Sequence, residues 1–128
     1  MDKTDEQWKQ ELTPAQYAAL REAATEQPFT GKLLNNKAEG TYACGACKQP
    51  LFSSQTKFES GNGWPSFYDV IAAGAVKIVH DYSYGMERLE VVCTTCGGHL
   101  GHLFDDAQDQ PTGKRYCINS ASLDFRKK

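Results

Sequence analysis

The 128-residue sequence has no run approaching the 18 or more apolar residues of a membrane span, so no membrane role is expected. It has no surplus of positive charge. Fourteen Lys and Arg stand against sixteen Asp and Glu, giving a net charge of −2 and a pI of about 5.9. That leaves no cationic field for a nucleic-acid backbone. There is no nucleotide-binding glycine fingerprint, no internal repeat and no low-complexity stretch. The opening residues, Met1-Asp2-Lys3-Thr4-Asp5-Glu6, lack the apolar stretch of a secretory signal and the Arg-rich, acid-poor bias of a transit peptide. A cytoplasmic location is expected. At 40% hydrophobic and 23% charged residues the chain reads as globular rather than disordered, and its length suits one domain over residues 1–128 and a monomer.

Structural disulfides are rare in a reducing compartment, yet the sequence holds five cysteines. Four form two identical pairs, Cys44-Gly45-Ala46-Cys47 and Cys93-Thr94-Thr95-Cys96, with 45 residues between them. Two sulfurs on one tight turn can reach a single ion, and two such turns complete a closed tetrathiolate site of the kind Zn²⁺ favours. Gly97 suits the backbone turn of such a knuckle. A redox dithiol is the alternative, but that motif belongs at the start of a helix in a βαβ unit, and neither pair lies in that setting.

One helix signal dominates the N-terminal part. Thr13 caps, Pro14 fits the first helical position, Gln16 completes a capping box, and Leu12 with Tyr17 would close a hydrophobic staple. Tyr17, Leu20 and Ala24 mark one face, and Pro28 ends a helical segment of about 13–27. Beyond Leu33 the pattern changes to short alternating runs at Gly40 to Ala43, Pro50 to Phe52, Val76 to Val79, Arg88 to Val92 and Tyr116 to Leu123. These predict an antiparallel β core over about 33–125. The basic end Arg126-Lys127-Lys128 reads as a solvated tail.

Cys117 remains outside the metal set. A lone thiol is often inert packing. On a strand, however, Arg115, Cys117 and Asn119 would share a face, neighbours roughly 6.5 Å apart, with Tyr116 and Ile118 on the other. A cation, a thiol and an amide make a poor core stripe, and a cation near a thiol favours the reactive thiolate. His99 and His102 lie three apart in a glycine-rich stretch, as metal ligands, surface residues or acid–base groups. Trp64, in Gly61-Asn62-Gly63-Trp64-Pro65-Ser66-Phe67, is either core or a wall for an apolar group such as a methyl.

Taken in order, these strings resemble the methionine sulfoxide reductase B family, which acts on the R epimer of the sulfoxide. The matching residues are Leu34-Asn35-Asn36-Lys37, Tyr42 to Cys47, Gly63 to Phe67, Cys93 to His102 and Arg115 to Ser120. The resemblance implies a mainly β fold, α+β with short N-terminal helices, whose two small antiparallel sheets are stapled by one structural Zn²⁺ on Cys44, Cys47, Cys93 and Cys96. It implies Cys117 as the catalytic nucleophile, Arg115 as the cation supporting it, and His99, His102 and Asn119 around the sulfoxide. Asp106 falls where the family places a carboxylate near the histidines. Trp64, with Phe67 in the same string, is assigned to the substrate wall. Oxidised methionine in proteins or peptides is the implied substrate. Many members carry a resolving cysteine just before the Gly-Trp-Pro string, where this chain has Gly61 and Asn62. An external thiol, thioredoxin or glutathione with glutaredoxin, is therefore expected to reduce the oxidised Cys117. Two rival readings are a non-enzymatic zinc-binding β module and a zinc hydrolase or deaminase. The latter lacks its His-x-Glu signature here.

Overall fold

The computed structural model describes residues 4–22, 24–61, 63–81 and 88–127, the side chains of Asp5 and Asp81 aside. Two short helices open it, α1 (Asp5–Glu11) and α2 (Pro14–Arg21). Both start with the same device. Thr13 Oγ1 accepts from the Gln16 amide at 3.2 Å, and Gln16 Oε1 accepts from the Thr13 amide at 2.9 Å. Thr4 and Gln7 repeat this at the same distances. Each box satisfies two amides that a helix start would otherwise leave unpaired.

The expected helix over 13–27 begins as anticipated but stops at Arg21, and Ala24 lies exposed beyond its end. The following residues are held elsewhere. Asn119 Nδ2 donates to the Ala24 carbonyl, the Glu26 amide donates to Asn119 Oδ1, and Trp64 Nε1 donates to the Glu26 carbonyl. These three tertiary bonds override the local helical preference.

Among the described residues, nine strands form two antiparallel sheets. The smaller has the order β2 (Pro50–Ser53), β1 (Gly40–Cys44), β9 (Leu123–Lys127). The larger has the order β3 (Lys57–Phe58), β4 (Ser66–Phe67), β8 (Arg115–Ile118), β7 (His99–Phe104), β6 (Arg88–Cys93), β5 (Val76–Asp81). The single run expected from Tyr116 to Leu123 is broken. A 3-10 turn at Ser120–Ser122 carries the chain from β8 in one sheet to β9 in the other. The basic tail is part of that last strand. Arg126 and Lys127 pair with Thr41 and Gly40, only their side chains facing solvent, and Lys128 lies outside the described residues.

The core fills the space between the sheets. Phe52 of the small sheet stacks on Phe67 of the large one at 4.4 Å, Tyr42 meets Phe67 edge-on at 5.0 Å, and Phe52 meets Tyr116 at 5.6 Å. All four rings are at most 5% exposed. Burying each contributes on the order of 2 kcal/mol. Leu20 of α2 joins the same cluster. Among the described residues no helix is long and apolar enough to cross a membrane.

Candidate active site and metal centre

The two cysteine pairs fold into near-identical knuckles. In the first, the Cys44 amide donates to the Gln49 carbonyl at 2.8 Å, and the Lys48 amide donates to the Cys44 carbonyl at 2.9 Å. In the second, the Cys93 amide donates to the Gly98 carbonyl at 2.9 Å, and the Gly97 amide donates to the Cys93 carbonyl at 2.8 Å. The residue after each second cysteine adopts the left-handed region, Gly97 at φ +74° and Lys48 at φ +68°. Glycine does this freely, whereas lysine does so at a cost.

The four sulfurs lie within 4.8 Å of one another, with Cys44 to Cys96 at 3.7 Å and Cys47 to Cys93 at 3.5 Å. A tetrahedron of zinc–sulfur bonds of about 2.3 Å has sulfur–sulfur edges of about 3.8 Å, so the donor set fits. Hydrogen bonds from Cys44 and Cys93 pull the Cys96 thiol down to about 4, while bonds to Cys93 and Cys96 push Cys44 up. Four sulfurs held this close together are an arrangement that a divalent ion bridging them relieves.

The second site is assembled by register across four strands. Glu90 of β6 lies opposite His102 of β7, His102 opposite Cys117 of β8, and Cys117 opposite Ser66 of β4. Directly opposed residues share a face, so these four form one polar row. The flanking row Leu89, Leu103, Tyr116, Phe67 faces the core. At Gly101 the strands approach closely. A Cβ there would lie 1.9 Å from the Cys117 carbonyl oxygen.

A bulge decides where His99 goes. Val91 pairs with Gly101 but Val92 pairs with His99, leaving Leu100 as an extra residue in β7. On an unbroken strand, residues three apart face opposite ways. The bulge instead brings the His99 and His102 rings to 5.4 Å, edge to face. His99 is 5% exposed, and its Nδ1 lies 2.6 Å from Glu90 Oε2. Its Nε2 is buried with no hydrogen-bond partner among the described residues.

Cys117 is buried, and Arg115 Nη1 donates to its Sγ at 2.7 Å. The Ser66 hydroxyl lies 3.6 Å from Sγ on the other side. Arg115 is itself fixed. Its Nε and Nη2 each reach Asp106 at 2.9 Å, and its guanidinium sits 4.4 Å from the Phe104 ring centre. The bidentate grip holds the Asp106 carboxyl below its usual range. Burial pushes the Cys117 thiol up, against the Ser66 hydroxyl and the Arg115 charge, which favour the thiolate. In the resting protein burial has the larger effect.

Not every expected site residue joins this group. Phe67 lies on the opposite face of β4, fully buried in the core stack. Asn119 lies past the end of β8, its amide bonded to the backbone of Ala24, Glu26 and Leu100. Asp106 contacts Arg115. Trp64 is half-buried in a loop whose Gly63, at φ +91°, packs against Pro28 and Phe29. Asn62, at the position expected for a resolving cysteine, lies outside the described residues. Two residues of the row escaped the sequence reading. Once Phe67 is assigned to the core, alternation turns Ser66 outward. Glu90 stands among apolar residues in Leu89-Glu90-Val91, a position where a carboxylate needs a partner.

The site holds a buried thiol between a cation and a hydroxyl, in register with His102, and the chain carries a separate cluster of four cysteine sulfurs that could hold a metal ion. The class is that of oxidoreductases. The chain belongs to the methionine sulfoxide reductase B family: the SelR domain matches residues 12–127. It is 60% identical over 126 residues to a protein of Methanosarcina barkeri named peptide methionine sulfoxide reductase MsrB, covering 98% of this chain and 88% of that protein. A Leptospira interrogans protein of the same name is 58% identical over 127 residues, 99% of this chain and 96% of the relative. The mouse protein named methionine-R-sulfoxide reductase B3, mitochondrial, is 52% identical over 122 residues, 95% of this chain and 48% of the relative.

Proposed function

We propose that this protein reduces methionine-R-sulfoxide in proteins or peptides to methionine, with Cys117 as the nucleophile. The observation that carries the reading is the 2.7 Å contact from Arg115 Nη1 to Cys117 Sγ, with Asp106 gripping the same guanidinium from behind. A cation fixed on a buried sulfur stabilises the thiolate at the moment it forms.

The thiolate attacks the sulfoxide sulfur, and the sulfoxide oxygen takes a proton from His99 or His102. The S–O bond of the sulfoxide breaks and a bond from oxygen to Sγ forms. Net, thiol plus sulfoxide give sulfenic acid plus thioether. Cys117 loses two electrons and the sulfoxide gains them. Two equivalents of external thiol, from thioredoxin or from glutathione with glutaredoxin, then return Cys117 to the thiol, with one disulfide and one water formed. Trp64 receives the substrate methyl. Asn119 acts from beneath, tying the segment that carries Glu26 to the end of β8, and through Glu26 holding the Trp64 indole. Phe67 supports the site from the core. One Zn²⁺ on Cys44, Cys47, Cys93 and Cys96 is structural. The protein acts as a cytoplasmic monomer.

A single-turnover assay tests this. A peptide bearing racemic methionine sulfoxide is mixed with the protein or with Cys117→Ser, without reductant. About one equivalent of the R epimer consumed, with a trappable sulfenic acid on Cys117 and nothing in C117S, is the expected result. A metal-loaded protein that consumes no sulfoxide even with dithiothreitol would favour the zinc-binding module instead.

A further inference from the structure

Phe29 is out of place on two counts. It is the most exposed large apolar side chain among the described residues, at 69%. It also adopts the left-handed region, at φ +68°, which an aromatic residue enters only at a cost. Two bonds clip its loop to the one that carries Trp64. The Phe29 amide donates to the Gly63 carbonyl at 2.7 Å, and Trp64 Nε1 donates to the Glu26 carbonyl at 2.9 Å. The loops interlock closely, since a Cβ on Gly63 would lie 2.5 Å from that of Pro28. Backbone strain of this kind persists only where its surroundings enforce it, and it gathers at binding sites. Here the enforced turn leaves Phe29, Leu34 and Trp64 lining one cavity of about 250 Å³, with Ser60 and Glu59 also in its wall.

The size and position of the cavity select its occupant. It is smaller than the roughly 300 Å³ at which pockets for whole small molecules begin, so it suits one side chain. It adjoins the Cys117 row, because Ser60 Oγ lies 2.8 Å from Ser66 Oγ, and Ser66 Oγ lies 3.6 Å from Cys117 Sγ. We infer that this cavity is a specificity subsite: it takes an apolar side chain flanking the oxidised methionine, with Phe29 as its exposed wall. This rests on the reductase reading above and adds to it a preference for the surrounding peptide. Successive residues of an extended peptide advance only about 3.3 Å, so a flanking residue falls within reach of the cavity while the sulfoxide meets Cys117. Trp64 serves both, as the methyl wall and as the partition between the two. Glu59 brings a negative charge to the cavity, and its partner Lys37, 3.6 Å away, is not part of the wall. An acidic flanking residue is therefore the poorest occupant.

The test uses full-length, metal-loaded protein and three peptides that differ only in the residues on both sides of methionine-R-sulfoxide: Leu, Gly or Asp. With dithiothreitol as reductant, kcat/KM should be about tenfold higher for the Leu peptide than for the Gly peptide, as partial burial of one side chain allows. The Asp peptide should be the slowest. Phe29→Asn tolerates the left-handed backbone but offers no apolar wall, and should bring the Leu-to-Gly ratio to within about twofold of unity. Phe29→Leu keeps an apolar wall and should retain most of the preference. A merely structural role for Phe29 would slow all three peptides together and leave their ratios alone. A parent that does not distinguish Leu from Gly, or an unchanged ratio in F29N, overturns the inference. Titration of the same peptides into C117S, followed by the ¹⁵N indole resonance of Trp64, reads occupancy without turnover. The Leu peptide should shift that resonance at the lower concentration, and adding F29N should remove the difference. Binding in this order with no reduction by any protein would mean that the reductase reading has failed while the cavity stands as a peptide site. Reduction without preference would mean the reverse. A parent that dimerises with rising concentration where F29N stays monomeric would put a second copy of the chain in the cavity, and also overturns the inference.

Discussion

The metal knuckles and the Cys117 row are built on opposite plans. Each knuckle is a local object, made by a handful of consecutive residues whose amides turn back on their own carbonyls. The Cys117 row draws one residue from each of four strands, spread from Ser66 to Cys117, and no two of them are close in sequence. A knuckle holds its shape through turn chemistry. The row holds its shape through sheet register, where a slip of one residue would turn every side chain to the other face. The metal site therefore depends on its ligands, and the thiol site depends on the backbone between its members.

Withdrawing the metal should give the largest effect. Chelation, or Cys93→Ser, removes a contribution on the order of 10 kcal/mol, because binding free energy at such a site is folding free energy. The expected outcome is loss of the cooperative thermal transition by circular dichroism together with loss of bound metal. A metal-free protein that melts like the parent would end the staple idea.

Next comes Gly101→Ala, which touches no functional side chain. The added carbon meets main-chain atoms of Cys117 and Ile118, which cannot step aside. A loss of about 3 kcal/mol in denaturant stability is expected, at the upper end for overpacking. Single-turnover reduction should fall further than the remaining folded fraction explains. Stability lost with full activity per folded molecule would show that register does not govern the row.

The third test concerns charge. Burial holds the Cys117 thiol above its ordinary value, so its alkylation rate should keep climbing as pH rises past the range of a free thiol. Arg115→Met removes a charge that opposes burial, and should slow alkylation at neutral pH by about tenfold or more. Equal rates at neutral pH would mean the guanidinium does not support the thiolate.

The smallest effect is expected at Lys48. Lys48→Gly relieves a left-handed backbone but loses the ammonium's bond to the Gly45 carbonyl and its 3.6 Å approach to Asp124. A net gain below about 1 kcal/mol should appear in the melting curve. It would bring the first knuckle to the ease of the second.

The same contrast explains what the sequence disclosed. The cysteine spacing, Gly97 and the Thr13–Gln16 box are short-range signals, and all are realised. Thr4 and Gln7 carry the same box, and the sequence held that helix start as plainly as the other. Long-range effects were harder to read. Where α2 stops depends on Asn119, some 95 residues away from Ala24. The facing of His99 depends on a bulge that appears only when Leu100 is drawn into the core. The strand rule that grouped Arg115, Cys117 and Asn119 holds for the first two and fails for Asn119, because the chain has already turned toward the other sheet.

Strand order also bears on how the protein is made. β8 lies between β4 and β7, so without it the large sheet is two separate pieces, the β3–β4 pair and the β5–β6–β7 meander. A ribosome produces both pieces before it produces the strand that joins them. The serine and the histidines thus wait in separate fragments, and the thiol arrives with the segment that unites them. The reactive sulfur gains its working neighbours only in the step that closes the sheet, so assembly and activation are one event.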